Sequence, residues 1–136
     1  MIQIAKKKKI RLDGILAQEF CEGRELIIGI KKDLVFGHCI VLGIGGIFAE
    51  TLKDTSTRRC PVNEDDAQEM IDELQNKKVL YGFRGMKTNV KVIKEVLTKV
   101  SKIPIKYPKI EELDINPFMI NEKGGKAVDA RIVWEK

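Results

Sequence analysis

The stretch Glu112-Leu113-Asp114-Ile115-Asn116-Pro117, followed by Val128-Asp129-Ala130-Arg131-Ile132, decides how this chain folds. Both segments alternate apolar and polar residues, the signature of strands with one buried face. Asn121-Glu122-Lys123-Gly124 is the natural turn between them. A four-residue loop there sets Leu113 opposite Ile132 and Ile115 opposite Ala130 on one face. Asp114 then lies opposite Arg131, and Asn116 opposite Asp129, on the other. This single register sorts the apolar residues to one side and the polar ones to the other. An amide oxygen set against a carboxylate suits Mg²⁺, which takes one or two protein ligands plus the phosphates of a nucleotide. The same pattern also fits a hairpin with a solvated polar face.

Working outward, a chain of 136 residues is one domain or part of one, long enough to bury a core. Its hydrophobic fraction of 43% and charged fraction of 33% suit a soluble globular protein. No apolar run reaches transmembrane length, and the start lacks the apolar core of a signal peptide. The expected location is cytoplasmic. Cys21, Cys39 and Cys60 form no CxxC pair, so neither a zinc site nor a disulfide framework is indicated. The net charge of +5 permits an acidic partner such as a nucleotide, CoA or nucleic acid. Lys6 to Lys9 with Arg11 is the densest basic cluster. It carries no interleaved aromatics for base stacking, so a solvated helix end is favoured over a nucleic-acid arm.

The first half reads as a meander. Residues 2–9 are expected to be the tail of a helix. Ile15 to Phe20 reads as a buried strand, Arg24 to Lys31 as the next, and Val35 to Leu42 as a third after a tight turn at Lys32-Asp33. The alternation of the second sets Leu26, Ile28 and Ile30 on one face. Gly43-Ile44-Gly45-Gly46 allows close backbone approach or simple turning, and Ile47 to Leu52 resumes strand character. Lys53 to Arg59 is a polar stretch.

The second half begins with helices. Asn63 is expected to cap one that opens with Glu64, Asp65 and Asp66 and buries Ala67, Met70, Ile71 and Leu74. A second runs from Thr88 to Ser101 with Val90, Ile93, Leu97 and Val100 as its stripe. Arg84, between glycines in Leu80-Tyr81-Gly82-Phe83-Arg84-Gly85, reads as an exposed guanidinium open to an anion or to solvent. His38, the only histidine, sits mid-strand and reads as structural.

Four motifs in collinear order then match a family. Gly45-Gly46-Ile47-Phe48-Ala49-Glu50-Thr51-Leu52-Lys53-Asp54 with Arg58 and Pro61 resembles the GGxFxExLKDxxxRxxP block of ADP-forming acyl-CoA synthetases. Leu80 to Gly85 resembles their LxGxRG loop. Glu112 to Pro117 and Val128 to Arg131 resemble their ELDINP and VDAR segments. The resemblance is nearest to the beta subunit, or fused beta region, of acetate–CoA ligase (ADP-forming). Succinate–CoA ligase beta subunits are more distant relatives.

The resemblance implies an α+β ATP-grasp fold, with residues 1–136 as its second, C-terminal lobe: an antiparallel sheet flanked by helices. By the same resemblance, Asn116 and Asp129 are Mg²⁺ ligands. Glu19 lies at the hinge contacting adenine and ribose, with Phe20 and Cys21 nearby. Glu25 is a second nucleotide-contacting acid, and Arg58 is a catalytic arginine near the phosphates. ATP or ADP with Mg²⁺ is the implied cofactor. A CoA-binding alpha subunit or domain is the implied partner.

The phosphate-binding lysine and glycine-rich flap of the first lobe are not identifiable, and His38 does not match the family's phosphate-carrying histidine. The chain therefore resembles half of a grasp, expected to be inactive alone. A non-catalytic half-grasp module that docks an alpha subunit or dimerises is the alternative reading.

Overall fold

The computed structural model describes residues 2–8, 11, 13–46 and 54–135, with the side chains of Ile2, Ala5, Lys6 and Arg84 excepted. In chain order these form α1 (Ile2–Lys7), β1 (Arg24–Asp33), β2 (Gly37–Ile44), β3 (Thr55–Arg59), α2 (Glu64–Glu73), α3 (Val90–Val100), α4 (Ile103–Lys106), β4 (Ile110–Ile120), β5 (Gly125–Ala127) and β6 (Ala130–Trp134). The strands make one antiparallel sheet in the order β3-β2-β1-β4-β5, with β6 also paired to β4. Helices α2 and α3 cover one face, giving an α+β fold of two layers.

Alternation creates the core. Leu26, Ile28 and Ile30 of β1, with Ile40 and Leu42 of β2, are all at most 1% exposed. They meet Ala67, Met70, Ile71 and Leu74 from α2 and its end, and Ile93, Leu97 and Val100 from α3. Each fully buried aliphatic side chain contributes about 1.5–3 kcal/mol relative to exposure. Local chemistry starts each helix where it starts. Asn63 Oδ1 accepts from the Asp66 N–H at 2.9 Å while Asp66 Oδ2 accepts from the Asn63 N–H at 2.8 Å, a complete capping box. Asn89 caps α3 by accepting from the Val92 N–H. The buried Asp54 carboxylate accepts from the backbone N–H groups of Gln75 and Asn76, both at 2.8 Å, and so ties the end of α2 to the strand side.

The hairpin register is the one expected. Leu113 pairs with Ile132, Asp114 with Arg131 and Ile115 with Ala130, and the Asn116 N–H donates to the Asp129 carbonyl at 3.2 Å. Two irregularities modify it. The β1–β4 register shifts between Leu26 and Ile28, where β4 carries Asn116-Pro117, and the β4–β6 register shifts between Ile110 and Glu112. Past the first shift Phe118 and Ile120 turn inward, and Met119 comes to the opposite face. A proline inside a strand marks this kind of bulge. Ile132 does share the side of Leu113, yet it is 47% exposed against 5%, because the helix layer does not reach β6.

Three expectations are corrected. Ile15 to Phe20 is not a strand: it runs outside the sheet, with Leu16 and Phe20 81% and 84% exposed. The turn after β1 is Leu34 to Phe36, later than Lys32-Asp33, because Asp33 Oδ1 accepts from the Val35 and Phe36 N–H groups and ends the strand there. The polar stretch after Lys53 contains a strand, β3, paired with β2 from Cys39 to Gly43. The expected strand Ile47 to Leu52 lies outside the described residues. His38 is structural, its Nε2–H donating to the Ile110 carbonyl at 2.7 Å.

Candidate functional site

The sheet face away from the helices is polar and open. Cross-strand partners share a face, so three rows can be read across it. Glu25 stands opposite Met119, which stands opposite Lys126. Asn116 stands opposite Asp129. Gly29 stands opposite Asp114, which stands opposite Arg131. Glu19 joins the first row through Lys126, whose Nζ donates to both carboxylate oxygens at 2.6 and 2.7 Å. Glu19, Glu25, Asn116 and Asp129, far apart in sequence, thus come to one side of the molecule.

Around Glu19 lies a cleft of about 440 Å³ lined by Phe20, Cys21, Met119 and the Asn121–Lys126 turn. The exposed Phe20 ring and the Met119 thioether give it apolar walls, and Glu19 gives it an acceptor. The chain enters this cleft under restraint, since Asn121 Nδ2 donates to the Glu22 carbonyl at 2.8 Å. Glu25 also lines a second cleft of about 390 Å³ with Arg24, Gly45, Gly46 and Asp54. Gly45 is needed there: its N–H donates to the Glu25 carbonyl at 2.7 Å, and a Cβ would stand 3.0 Å from Glu25 backbone atoms.

Carboxylates crowd the row beside Asn116 and Asp129. The Asp114 carboxyl is held above the usual range by partial burial first, then by Glu112 and Asp129, against the opposing pull of Arg131. Asn116 and Asp129 are exposed, and among the described residues neither side chain is engaged in a hydrogen bond or ion pair. Their oxygens are hard donors that fit Mg²⁺, two protein ligands with room for phosphate oxygens. No cluster of three or more His, Cys, Asp or Glu among the described residues could enclose a metal by itself.

Arg58 is not brought to this face. It pairs with Ile40, a core residue, so its side chain lies on the helix side. There Nη2 meets Glu73 and lies 3.4 Å from Glu69, Nη1 donates to Glu73 Oε2 at 2.9 Å, and Ser56 Oγ donates to the same oxygen at 2.6 Å. Arg58 and Ser56 hold the Glu73 carboxyl at about 2, well below its usual range. Period-two parity turns Arg58 to the helix side, where it braces α2. Met119 and Lys126 were missed as lining residues. The alternation around Pro117, read with its bulge, was the signal that could have found them.

The sequence profile of the ATP-grasp domain family matches residues 1–133. The chain is 42% identical over 112 residues to acetate–CoA ligase (ADP-forming) I subunit beta of Pyrococcus furiosus, covering 82% of this chain and 48% of that protein. It is 39% identical over 127 residues to acetate–CoA ligase (ADP-forming) I of Archaeoglobus fulgidus, covering 92% of this chain and 18% of that one. Among solved structures, acetyl-coenzyme A synthetase 1 of Ca. Korarchaeum cryptofilum, in complex with coenzyme A, Ca-AMPCP and HgCl+, superposes with a TM-score of 0.84. The identity is 40%, over 98% of this chain and 60% of that one. Another structure of that enzyme contains coenzyme A and Mg-AMPPCP; it gives a TM-score of 0.80 at 41% identity over 84% of this chain and 54% of that one. The chain spans about half the length of the separate beta subunit and about a fifth of the fused ligase. With its sequence profile matched over residues 1–133, the chain belongs to the ATP-grasp domain family.

Proposed function

We propose that this chain is the second lobe of an ATP-grasp and holds Mg-ATP or Mg-ADP on its open sheet face. It would do so as a component of an ADP-forming acyl-CoA synthetase. The observation that carries the reading is the convergence of Glu19, Glu25, Asn116 and Asp129 on one face of the sheet, in a chain 40% identical to a synthetase solved with Ca-AMPCP. Asn116 and Asp129 would hold Mg²⁺, which would offset phosphate charge during phosphoryl transfer. Phe20 and Met119 present apolar surfaces to a planar base. Glu19, oriented by Lys126, and Glu25, seated against Gly45, offer acceptors to amine and hydroxyl groups of the nucleoside.

A complementary lobe, on this chain or another, would close over the polar face and exclude water. A CoA-binding alpha subunit or domain would supply the acyl-CoA chemistry. No helix among the described residues is long and apolar enough to cross a membrane, and we place the assembly in the cytoplasm.

Calorimetric titration of ADP into the chain, with and without Mg²⁺, tests the reading. Binding that needs Mg²⁺ and disappears in Asp129→Ala is the expected result. Equal affinity without the metal, or in the variant, removes the metal assignment; no binding at all makes the complementary lobe essential and a docking module the better description of this chain.

A further inference from the structure

The two edges of the sheet are built differently. β3 presents Thr55, Ser56, Thr57, Arg58 and Arg59, a polar strand of the kind that discourages edge pairing. β6 at the other edge presents Ile132 and Trp134, 47% and 50% exposed. Tyr107 stands edge-on to Trp134 at 6.2 Å and is itself 44% exposed, so the apolar strip extends onto the end of α4.

The backbone of β6 shows which of its groups point outward. Asn116 N–H donates to the Asp129 carbonyl, and Glu135 N–H donates to the Lys109 carbonyl at 2.8 Å. Odd-numbered residues therefore turn their N–H and C=O groups to the β4 side, and Ala130, Ile132 and Trp134 turn theirs to the free edge. Among the described residues nothing pairs with that edge.

We propose that β6 pairs antiparallel with β6 of a second copy of this chain, about a two-fold axis at Val133. A two-fold pairing presents the same surface from both copies, so each cross-strand pair occurs twice. Centred on Val133, it sets Ile132 opposite Trp134, both with outward backbone groups, and Arg131 opposite Glu135. Centred on Ile132, the hydrogen-bonding parity also works, but Arg131 meets Val133. Centred on Arg131, two guanidinium groups meet. Only the Val133 register pairs opposite charges and covers both large apolar side chains. Lys32 Nζ engages one carboxylate oxygen of Glu135 at 2.8 Å, leaving the other for the second copy's arginine. Arg131 makes no ion pair among the described residues that this pairing would break. One short strand per copy makes a small interface, so the dimer exchanges and depends on concentration.

Sedimentation equilibrium across a concentration series, with Trp134 fluorescence recorded on the same samples, tests this. Trp134 is the only tryptophan. Mass should rise from 15.4 kDa toward twice that value, with a blue shift of the emission over the same range. Arg131→Glu and Glu135→Arg should each hold the chain monomeric with unchanged circular dichroism. The double swap should restore the dimer, which a merely misfolded variant could not do. A chain that stays monomeric throughout, a dimer indifferent to either single swap, or a double swap that fails to restore association overturns the proposal. The readout is independent of nucleotide binding and therefore of the function proposed above.

Discussion

On the helix-covered face of the sheet Arg58 and Glu73 pair with each other, whereas on the open face carboxylates crowd together and, among the described residues, several make no hydrogen bond or ion pair. Arg58, Glu73 and Ser56 close on one another beneath α2. Asn116, Asp129 and Glu25, on the other face, point outward beside an Asp114 pushed up by partial burial and then by its acidic neighbours. The contrast separates two uses of the same strands. Where burial must be maintained, ion pairs brace the packing. On the face proposed to meet a nucleotide, oxygen atoms are left unsatisfied by the protein. The second use carries a stability penalty through like-charge crowding, which a divalent cation would relieve.

The largest effect that sharpens this contrast is in the core. Leu97→Ala on α3 should cost about 2–5 kcal/mol, read from denaturant unfolding, because its fully buried side chain leaves a cavity between helix and sheet. Arg58→Ala should cost about 1 kcal/mol or less and leave Mg-ADP affinity unchanged. A collapse of nucleotide binding in that variant would return Arg58 to the phosphates and break the comparison.

The pH dependence is smaller and has a definite sign. The folded Glu73 carboxyl titrates at about 2 against an ordinary value of 4.5. Its contribution is thus present above 4.5 and is lost as pH falls toward 2. Glu73→Gln should flatten thermal stability across that window, and an unchanged acid slope would show that the ion pair contributes nothing. The smallest stability effect is expected on the open face. Asp129→Ala should change unfolding free energy by less than about 0.5 kcal/mol, since its exposed side chain supports no packing. A marked loss of melting temperature there would recast Asp129 as structural.

Much of this was legible in the sequence for physical reasons. Asn63 before Glu64, Asp65 and Asp66 announces a capped helix start, and Asn121 to Gly124 with the flanking alternation fixes one hairpin register. That register alone sets Asn116 opposite Asp129. What was not legible depended on neighbours. Ile15 to Phe20 is apolar enough for a strand, but among the described residues no strand lies beside it to pair with. Thr55 to Arg59 is too polar to announce a strand, yet β2 offers it a ladder. The face of Arg58 followed from that unrecognised pairing, so its motif match could not say which way it points. Met119 was hidden by the bulge at Pro117, which inverts the alternation halfway along β4.

The sheet order also sets a sequence of events during synthesis. β1 lies between β2, its immediate successor among the strands, and β4, which arrives after α2, α3 and α4. As the chain leaves the ribosome, the β1–β2 hairpin can form early, while the other edge of β1 waits for Ile110–Ile120 across more than half the length of the chain. During that interval the unpaired side of β1 exposes a ladder of backbone groups flanked by Leu26, Ile28 and Ile30, the arrangement most open to a wrong partner. The strand carrying Asn116 is therefore also the one whose arrival closes the nascent sheet, so completing the fold and assembling the site are a single late step.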